Sequence, residues 1–296
     1  MRILAIGDFH GKFPKKFEKI IKKKKVDLVV SNGDYPPFHY RKLWFKHCYG
    51  KDTELWEVIG KKKYKKMIME DLRRAGIALK ALNKLPVPVY TVLGNIDWPD
   101  TGDVIDIPKG IAKAMLTWDR KDTFAKILKK YKNIHRFDYS YLKFRDYVFI
   151  GMRGHSIPGR VKSKAFRKHK KILDKIFNKF KKENKEKRVI FVSHNIAYKT
   201  KLDKISTKNQ KAALKWYYGK KFNKKKKYKR HYGSKMARRI VNQYHPLLHI
   251  GGHIHEGRGK QKLGKSWLIN PGSAHEGKAA IIELGAGKVK KIKFIR

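Results

Sequence analysis

Cysteine is almost absent from this chain of 296 residues; the single one is Cys48. An internal disulfide is therefore excluded, a reducing compartment is implied, and any metal must be held without a thiolate cluster. Long apolar runs are missing as well. None reaches the roughly 18 residues that cross a bilayer as a helix, which excludes a helical membrane span. Acids are the third shortage, with 24 Asp and Glu against 75 Lys and Arg, a formal net charge of +51. Fifty-nine of the bases are lysine. Thermophilic ion-pair networks raise lysine and glutamate together, so they explain only part of this excess, and a lysine-biased genome is a further contributor. Whatever its origin, such a surface attracts polyanions. Neither repeats nor long linkers interrupt the chain, which reads as one domain over residues 1–296 with insertions at about 36–63 and 204–230.

What the chain does have is a set of short apolar runs, each ending in residues able to bind a metal. Arg2–Ile6 leads into Gly7-Asp8-Phe9-His10-Gly11, and Asp27–Val30 into Asn32-Gly33-Asp34. Val89–Leu93 ends in Gly94-Asn95-Ile96-Asp97, and Val189–Val192 in Ser193-His194-Asn195. Leu247–Ile250 leads to Gly251-Gly252-His253-Ile254-His255-Glu256, and Ser266–Ile269 to Asn270-Pro271-Gly272-Ser273. Buried strands are stiff, and in α/β sheets ligands gather beyond their carboxyl ends. Ligands placed there can hold two cations ~3.5–4 Å apart, the arrangement used for in-line displacement at phosphorus. Two cations that close need a shared carboxylate, for which Asp34 is the best placed. Mixed His, Asn and Asp donors suit Mn, Fe or Zn better than Ca or Mg.

Each motif also has a plain structural reading. Asp34 and Asn95 are ordinary turn residues, His194 and His253 pass for core histidines, and Asn270-Pro271-Gly272-Ser273 for a turn that only borders the site. The full ordered set is what favours a metal site. Around it, Phe13–Lys24, Tyr64–Leu85 and Lys162–Lys185 have the apolar spacing of amphipathic helices. Residues 36–63 read as an irregular, aromatic-rich insertion that either walls a cleft or covers the sheet. Asp146–Ile150 reads as a strand followed by Arg153 and His155, either one a candidate to reach the phosphate, and Ala279–Leu284 with Lys288–Ile295 as a closing hairpin.

In order and spacing these motifs resemble the calcineurin-like metallophosphoesterases, over nearly the whole chain. Small archaeal members are similar also in Lys201-Leu202-Asp203 and His231-Tyr232-Gly233-Ser234. The resemblance implies an α/β fold in which two packed sheets form a sandwich flanked by helices (α/β/β/α). It implies two divalent metals, Mn favoured with Fe, Zn or Ni as alternatives. Asp8, His10, Asp34 and His255 would hold the first, and Asp34, Asn95, His194 and His253 the second. The reaction implied is hydrolysis of a phosphate ester by a hydroxide bridging the metals. One departure stands out: Ile96 occupies the place where most of the family has a histidine that stabilises the transition state or protonates the leaving oxygen. Isoleucine does neither, which leaves Asp97, His155 and His231 as candidate proton donors.

The basic residues cluster. From Lys204 to Arg230 there are twelve Lys and Arg and no acid, interleaved with Trp216, Tyr217, Tyr218, Phe222 and Tyr228. Lysines among aromatics suit a nucleic-acid strand held with little sequence preference; a solvated loop whose aromatics cover the core is the competing reading. Together these features lead to a cytoplasmic, non-membrane phosphoesterase with a phosphodiester substrate, a nucleotide or nucleic acid, favoured. A cleaved leader would remove the first ligand-bearing strand, hence the cytoplasmic expectation. Two alternatives stay open: a phosphomonoesterase or nucleotidase, and a nucleic-acid-binding protein with a weakly active metal site.

Overall fold

Along the first strand, β1 (Arg2–Ile6), alternate residues enter different layers. Ile3 and Ala5 join a core shared by two sheets, while Leu4 and Ile6 join a core roofed by helices. This two-residue alternation, with both faces apolar, is what a strand buried on both sides requires. The structure is a computed structural model that describes residues 1–48, 53–97, 123–154, 164–205 and 231–296. His155 and residues 206–230 of the basic segment lie outside the described residues.

Two six-stranded sheets pack face to face. The first contains β1, β2 (Leu28–Ser31), β3 (Val89–Thr91), β4 (Ile134–Arg136), β11 (Ala279–Gly285) and β12 (Lys288–Ile295) in the order β12-β11-β1-β2-β3-β4. The second contains β5 (Tyr141–Phe144), β6 (Tyr147–Met152), β7 (Val189–Asn195), β8 (Leu248–Gly252), β9 (Gly259–Leu263) and β10 (Ser266–Asn270) in the order β5-β6-β7-β8-β10-β9. β1 to β4 run parallel, as do β6, β7, β8 and β10. Val30, Val92, Phe149, Ile190, Val192 and Ile250 fill the space between the sheets. Outside the first sheet lie helices α1 (Lys16–Lys23), α4 (Lys61–Asn83) and α5 (Thr123–Leu128), which bury Phe17, Ile21, Ile68, Leu72, Leu79 and Phe124. Outside the second lie α6 (Lys164–Lys179) and α8 (Lys235–Tyr244), contributing Leu173, Phe177, Ile240 and Val241. The four-layer α/β/β/α sandwich is thus the fold. No described helix is long and apolar enough to cross a membrane.

Several expected boundaries move. The described residues within 36–63 are not irregular: among them stand α2 (Arg41–His47) and α3 (Leu55–Ile59), and α4 begins at Lys61. Helices of seven and five residues are too short to establish a periodicity in sequence. Phe38, Trp44 and Trp56 pack against the helix-side core, so these aromatics cover the sheet's helical layer. The helix expected over Lys162–Lys185 is two, α6 and α7 (Lys181–Lys185), parted where Phe180 leaves helical geometry and its buried ring joins the core. In the closing hairpin Ala286 and Gly287 both have positive φ, as a two-residue turn matched to strand twist requires.

Leu79 is fully buried on α4, whereas Ile77 on the same helix is 57% exposed. Leu79→Ala is expected to cost about 2–5 kcal/mol in urea denaturation and Ile77→Ala under about 0.5 kcal/mol. Equal losses would show that α4 does not pack through the face described.

Candidate metal centre

The parallel strands of both sheets deliver their carboxyl ends to one place. Asp8 and His10 follow β1, Asp34 follows β2 and Asn95 follows β3; His194 lies within β7, and His253 and His255 follow β8. Asp8, His10 and His255 form one group and Asp34, His194 and His253 another, the ligand atoms of each within 4.8 Å of one another. His10 Nε2 stands 3.2 Å from His255 Nε2, and His255 Nε2 stands 3.4 Å from Asp8 Oδ1. In the second group His194 Nε2 is 2.8 Å from Asn95 Oδ1, 3.1 Å from His253 Nδ1 and 3.4 Å from Asp34 Oδ2.

Backbone geometry forces this convergence. Asp8, His10, Asp34 and His253 all adopt positive φ, between 45° and 70°. A left-handed conformation costs a non-glycine residue roughly 1–2 kcal/mol, and it persists only where surrounding contacts impose it. Here they do: Asp8 N donates to Gly33 O, Phe9 N and His10 N to Asp34 O, and Gly11 N to Tyr35 O. The first ligand loop is thereby laced to the second.

The ligand side chains are aimed as well as gathered. His194 Nδ1 donates to Asn32 O at 2.7 Å, leaving Nε2 with its lone pair toward the group. Asp34 Oδ1 accepts from Ile96 N at 3.1 Å, and Asp8 Oδ2 from His253 N at 3.2 Å. Asp8 Oδ1 is buried with no hydrogen-bond partner among the described residues. A buried carboxylate oxygen left so beside two imidazoles fits a cation, and the mixed nitrogen and oxygen donors fit a borderline divalent metal. Burial would raise Asp8, but the nearby imidazoles, His255 foremost, hold its carboxyl well below the usual carboxylate range. Burial lowers His10; it lowers His255 too, but there the Asp8, Asp34 and Glu276 carboxylates together outweigh it and the net shift is upward.

Asn32, to which the sequence motifs assign no role, lies under both groups. Its carbonyl orients His194, and its buried amide has no partner among the described residues. A Cβ on Gly252 would fall 1.9 Å from Asn32 Nδ2 and 2.6 Å from Asp8 Oδ2, so only glycine admits the amide beside the Asp8 carboxylate. His275 is a second residue that the motifs pass over. It is exposed, its ring lies edge-on to His10 at 6.3 Å, and its N–H donates to Asp8 O. The neighbouring Asn270-Pro271-Gly272-Ser273 offered the only signal for it. That segment itself is a brace: Asn270 Nδ2 donates to Ile254 O, and Ser273 Oγ to Asp8 O.

The expected proton donors fare differently. Asp97 is fully buried, and its oxygens accept from Gly94 N, Tyr35 N and Asp34 N at 2.6, 2.7 and 2.9 Å. Burial and the Asp34 charge push it up to about 7, while the three N–H groups favour its ionised form. A carboxylate so enclosed ties the Asp34 and Asn95 loops together. His231 Nδ1 pairs with buried Asp203 at 2.7 Å, and among the described residues no hydrogen bond joins it to either group. Arg153 is buried against Tyr139. Ile96 is buried, contributing its backbone N–H and no side-chain polarity.

Behind His194 lies a buried relay. Ser193 Oγ donates to Asn195 O at 2.8 Å and so accepts from His249 Nε2, also at 2.8 Å. It spans the irregular register of β7 against β8 from which His194 projects. Burial lowers His249 from 6.5 to about 3.

Asn32→Ala should weaken Mn²⁺ binding by about tenfold to a hundredfold in calorimetric titration, with an unchanged circular dichroism spectrum; unchanged affinity would remove the side chain from the site. Because His249 binds its proton more weakly folded than unfolded, its contribution to stability is full above pH 6.5 and is lost as pH falls toward about 3. Denaturation of His249→Gln across that window should show a shallower loss than the parent chain, by close to one proton.

The family model for calcineurin-like phosphoesterases matches residues 1–257. No curated protein matches the chain. One solved crystal structure is similar over 100% of this chain and 99% of its own, at 20% identity and a TM-score of 0.61, which shows a shared fold. TT1561 of Thermus thermophilus aligns over 100% of this chain and 99% of its own, at 15% identity and a TM-score of 0.48. A protein characterised as a novel archaeal phosphodiesterase aligns over 100% of both chains, at 11% identity and a TM-score of 0.38. Neither of the last two adds to the inference of fold.

Proposed function

Because the chain belongs to the calcineurin-like phosphoesterase family, we propose that it is a two-metal phosphodiesterase acting on a nucleotide or nucleic acid. The observation that carries this reading is the pair of Asp–His groups brought together from both sheets. Asp8, His10, Asp34 and His255 would hold the first cation, and Asp34, Asn95, His194 and His253 the second. Asp34 as the shared ligand is supported by its reach: its carboxylate pairs with His194 and its charge also acts on His10 and His255. Mn²⁺ suits the set best, with Fe, Zn or Ni as alternatives. Two bound cations would supply a nucleophile at neutral pH and neutralise charge at phosphorus.

The chain's own residues set the rest. Asp97 holds the Asp34 and Asn95 loops in register, Asn32 fixes the His194 tautomer, and Ser273 with Asn270 steadies the Asp8 and His255 loops. Ile96 gives no proton, which favours leaving groups that depart without full protonation. His155 lies outside the described residues and is kept as a candidate donor on sequence grounds. A net charge of +51 and the run of twelve bases from Lys204 to Arg230 favour a polyanionic substrate.

Metal-stripped protein should hydrolyse a chromogenic phosphodiester only after Mn²⁺ is restored, and Asp34→Asn should lower that rate by at least about a hundredfold. Faster turnover of the monoester with the same leaving group would overturn the diester preference. Turnover without any metal would overturn the two-metal reading.

A further inference from the structure

The turn carrying His255 runs directly into the open edge of the second sheet. Resting on the nucleic-acid reading above, we infer that Arg258, Lys260 and Lys262 form a ladder along this edge. The ladder leads the phosphodiester backbone of a single-stranded nucleic acid to and from the metal centre.

β9 starts at Gly259, just after the short helical turn His255–Gly257, and among the described strands it is the outermost, paired only with β10. Residues two apart on a strand share a face and stand ~7 Å apart, so Lys260 and Lys262 line up on one side, and Arg258, extended just before the strand and donating to Ile295 O, precedes them. Each is held over an aromatic ring. The Arg258 guanidinium lies 5.1 Å from the Phe294 centroid, and the Lys260 and Lys262 ammonium groups lie 5.8 and 5.2 Å from that of Trp267. Such contacts limit the wandering of long side chains, so the charges are presented at a defined spacing before any phosphate arrives. The intervening Gln261 faces the other way and accepts from Lys201 N at 2.8 Å, tying the strand to the segment from which the basic run departs in sequence.

No acid occurs between Gly257 and His275, a stretch that also holds Lys265. A phosphate chain laid along this edge therefore meets no carboxylate from its own strands. Lysines on an exposed edge also discourage pairing with another sheet. That role accounts for charge on the edge, but not for its alignment over two rings on one face, leading away from a metal-ligand turn. Lysine point charges make the interaction sequence-tolerant.

The test compares two charge-reversed pairs in the full chain. Lys260→Glu/Lys262→Glu alters the ladder; Lys171→Glu/Lys175→Glu removes the same charge from exposed positions on α6. Binding of a fluorescent single-stranded oligonucleotide is followed by anisotropy at several salt concentrations, beside hydrolysis of a small chromogenic diester. The ladder pair should weaken oligonucleotide binding at least about tenfold and reduce the log–log salt slope by ~1.4, about 0.7 for each phosphate no longer neutralised. The α6 pair should weaken it less than about threefold, and neither should change small-diester turnover more than about twofold. Equal weakening by both pairs would replace the ladder by a diffuse field, and no weakening by the ladder pair would place the strand elsewhere; either overturns the proposal while sparing the diesterase reading. Failure of the parent chain to bind any oligonucleotide would overturn the nucleic-acid reading and the ladder together. Lys260→Gln/Lys262→Gln, with its circular dichroism spectrum, guards against misfolding of the reversed pair.

Discussion

Four imidazoles and two buried carboxylates must be held together at the centre of this molecule. His10 Nε2 faces His255 Nε2, His194 Nε2 faces His253 Nδ1, and a buried Asp8 oxygen has no hydrogen-bond partner among the described residues. Without a cation, lone pairs gathered this way gain little from each other, so the backbone has to impose the arrangement. It does so by putting four of the seven proposed ligands into left-handed turns and lacing the first ligand loop to the second. The strained turns are stable because they sit at the ends of strands whose apolar faces are buried on both sides. Core packing thus supplies the rigidity that the site consumes.

In a chain with few acids, the buried carboxylates have specific work. Asp97 gathers three backbone N–H groups and fixes the Asp34 and Asn95 loops. Asp203 accepts from Lys199 N, Thr200 N and Gly233 N as well as His231, closing the neck on either side of the basic segment. Asp71 on α4 anchors His39, beyond the Asp34 loop. Each is a local organiser of chain ends rather than one member of a surface ion-pair network. The excess positive charge is left for solvent and for anionic partners, which gives the metal centre a surrounding field that draws phosphates toward it.

Much of this was legible along the chain. Short apolar runs marked the strands, and the order of Asp, Asn and His after them marked the candidate ligands, because strand ends and metal chemistry restrict residue choice locally. The aromatic insertion was less legible, since α2 and α3 are too short to show a period. The partners of Asp97 and His231 were not legible, because a titratable residue near a motif reads the same whether it faces a substrate or a backbone. Asn32 gave no signal: its role lies in what surrounds its amide, Gly252 and Asp8, which stand far along the chain or on another loop.

By itself, then, the sequence determined the buried strands, the candidate ligands at their ends and the positive charge, all properties of residue identity and near-neighbour spacing. Only the tertiary structure decided which ligands share a group, which carboxylate braces rather than reacts, and that Arg258, Lys260 and Lys262 stand over Phe294 and Trp267. Those outcomes depend on contacts between strands far apart in the chain, and their geometry is set by how two sheets pack, which no local pattern encodes.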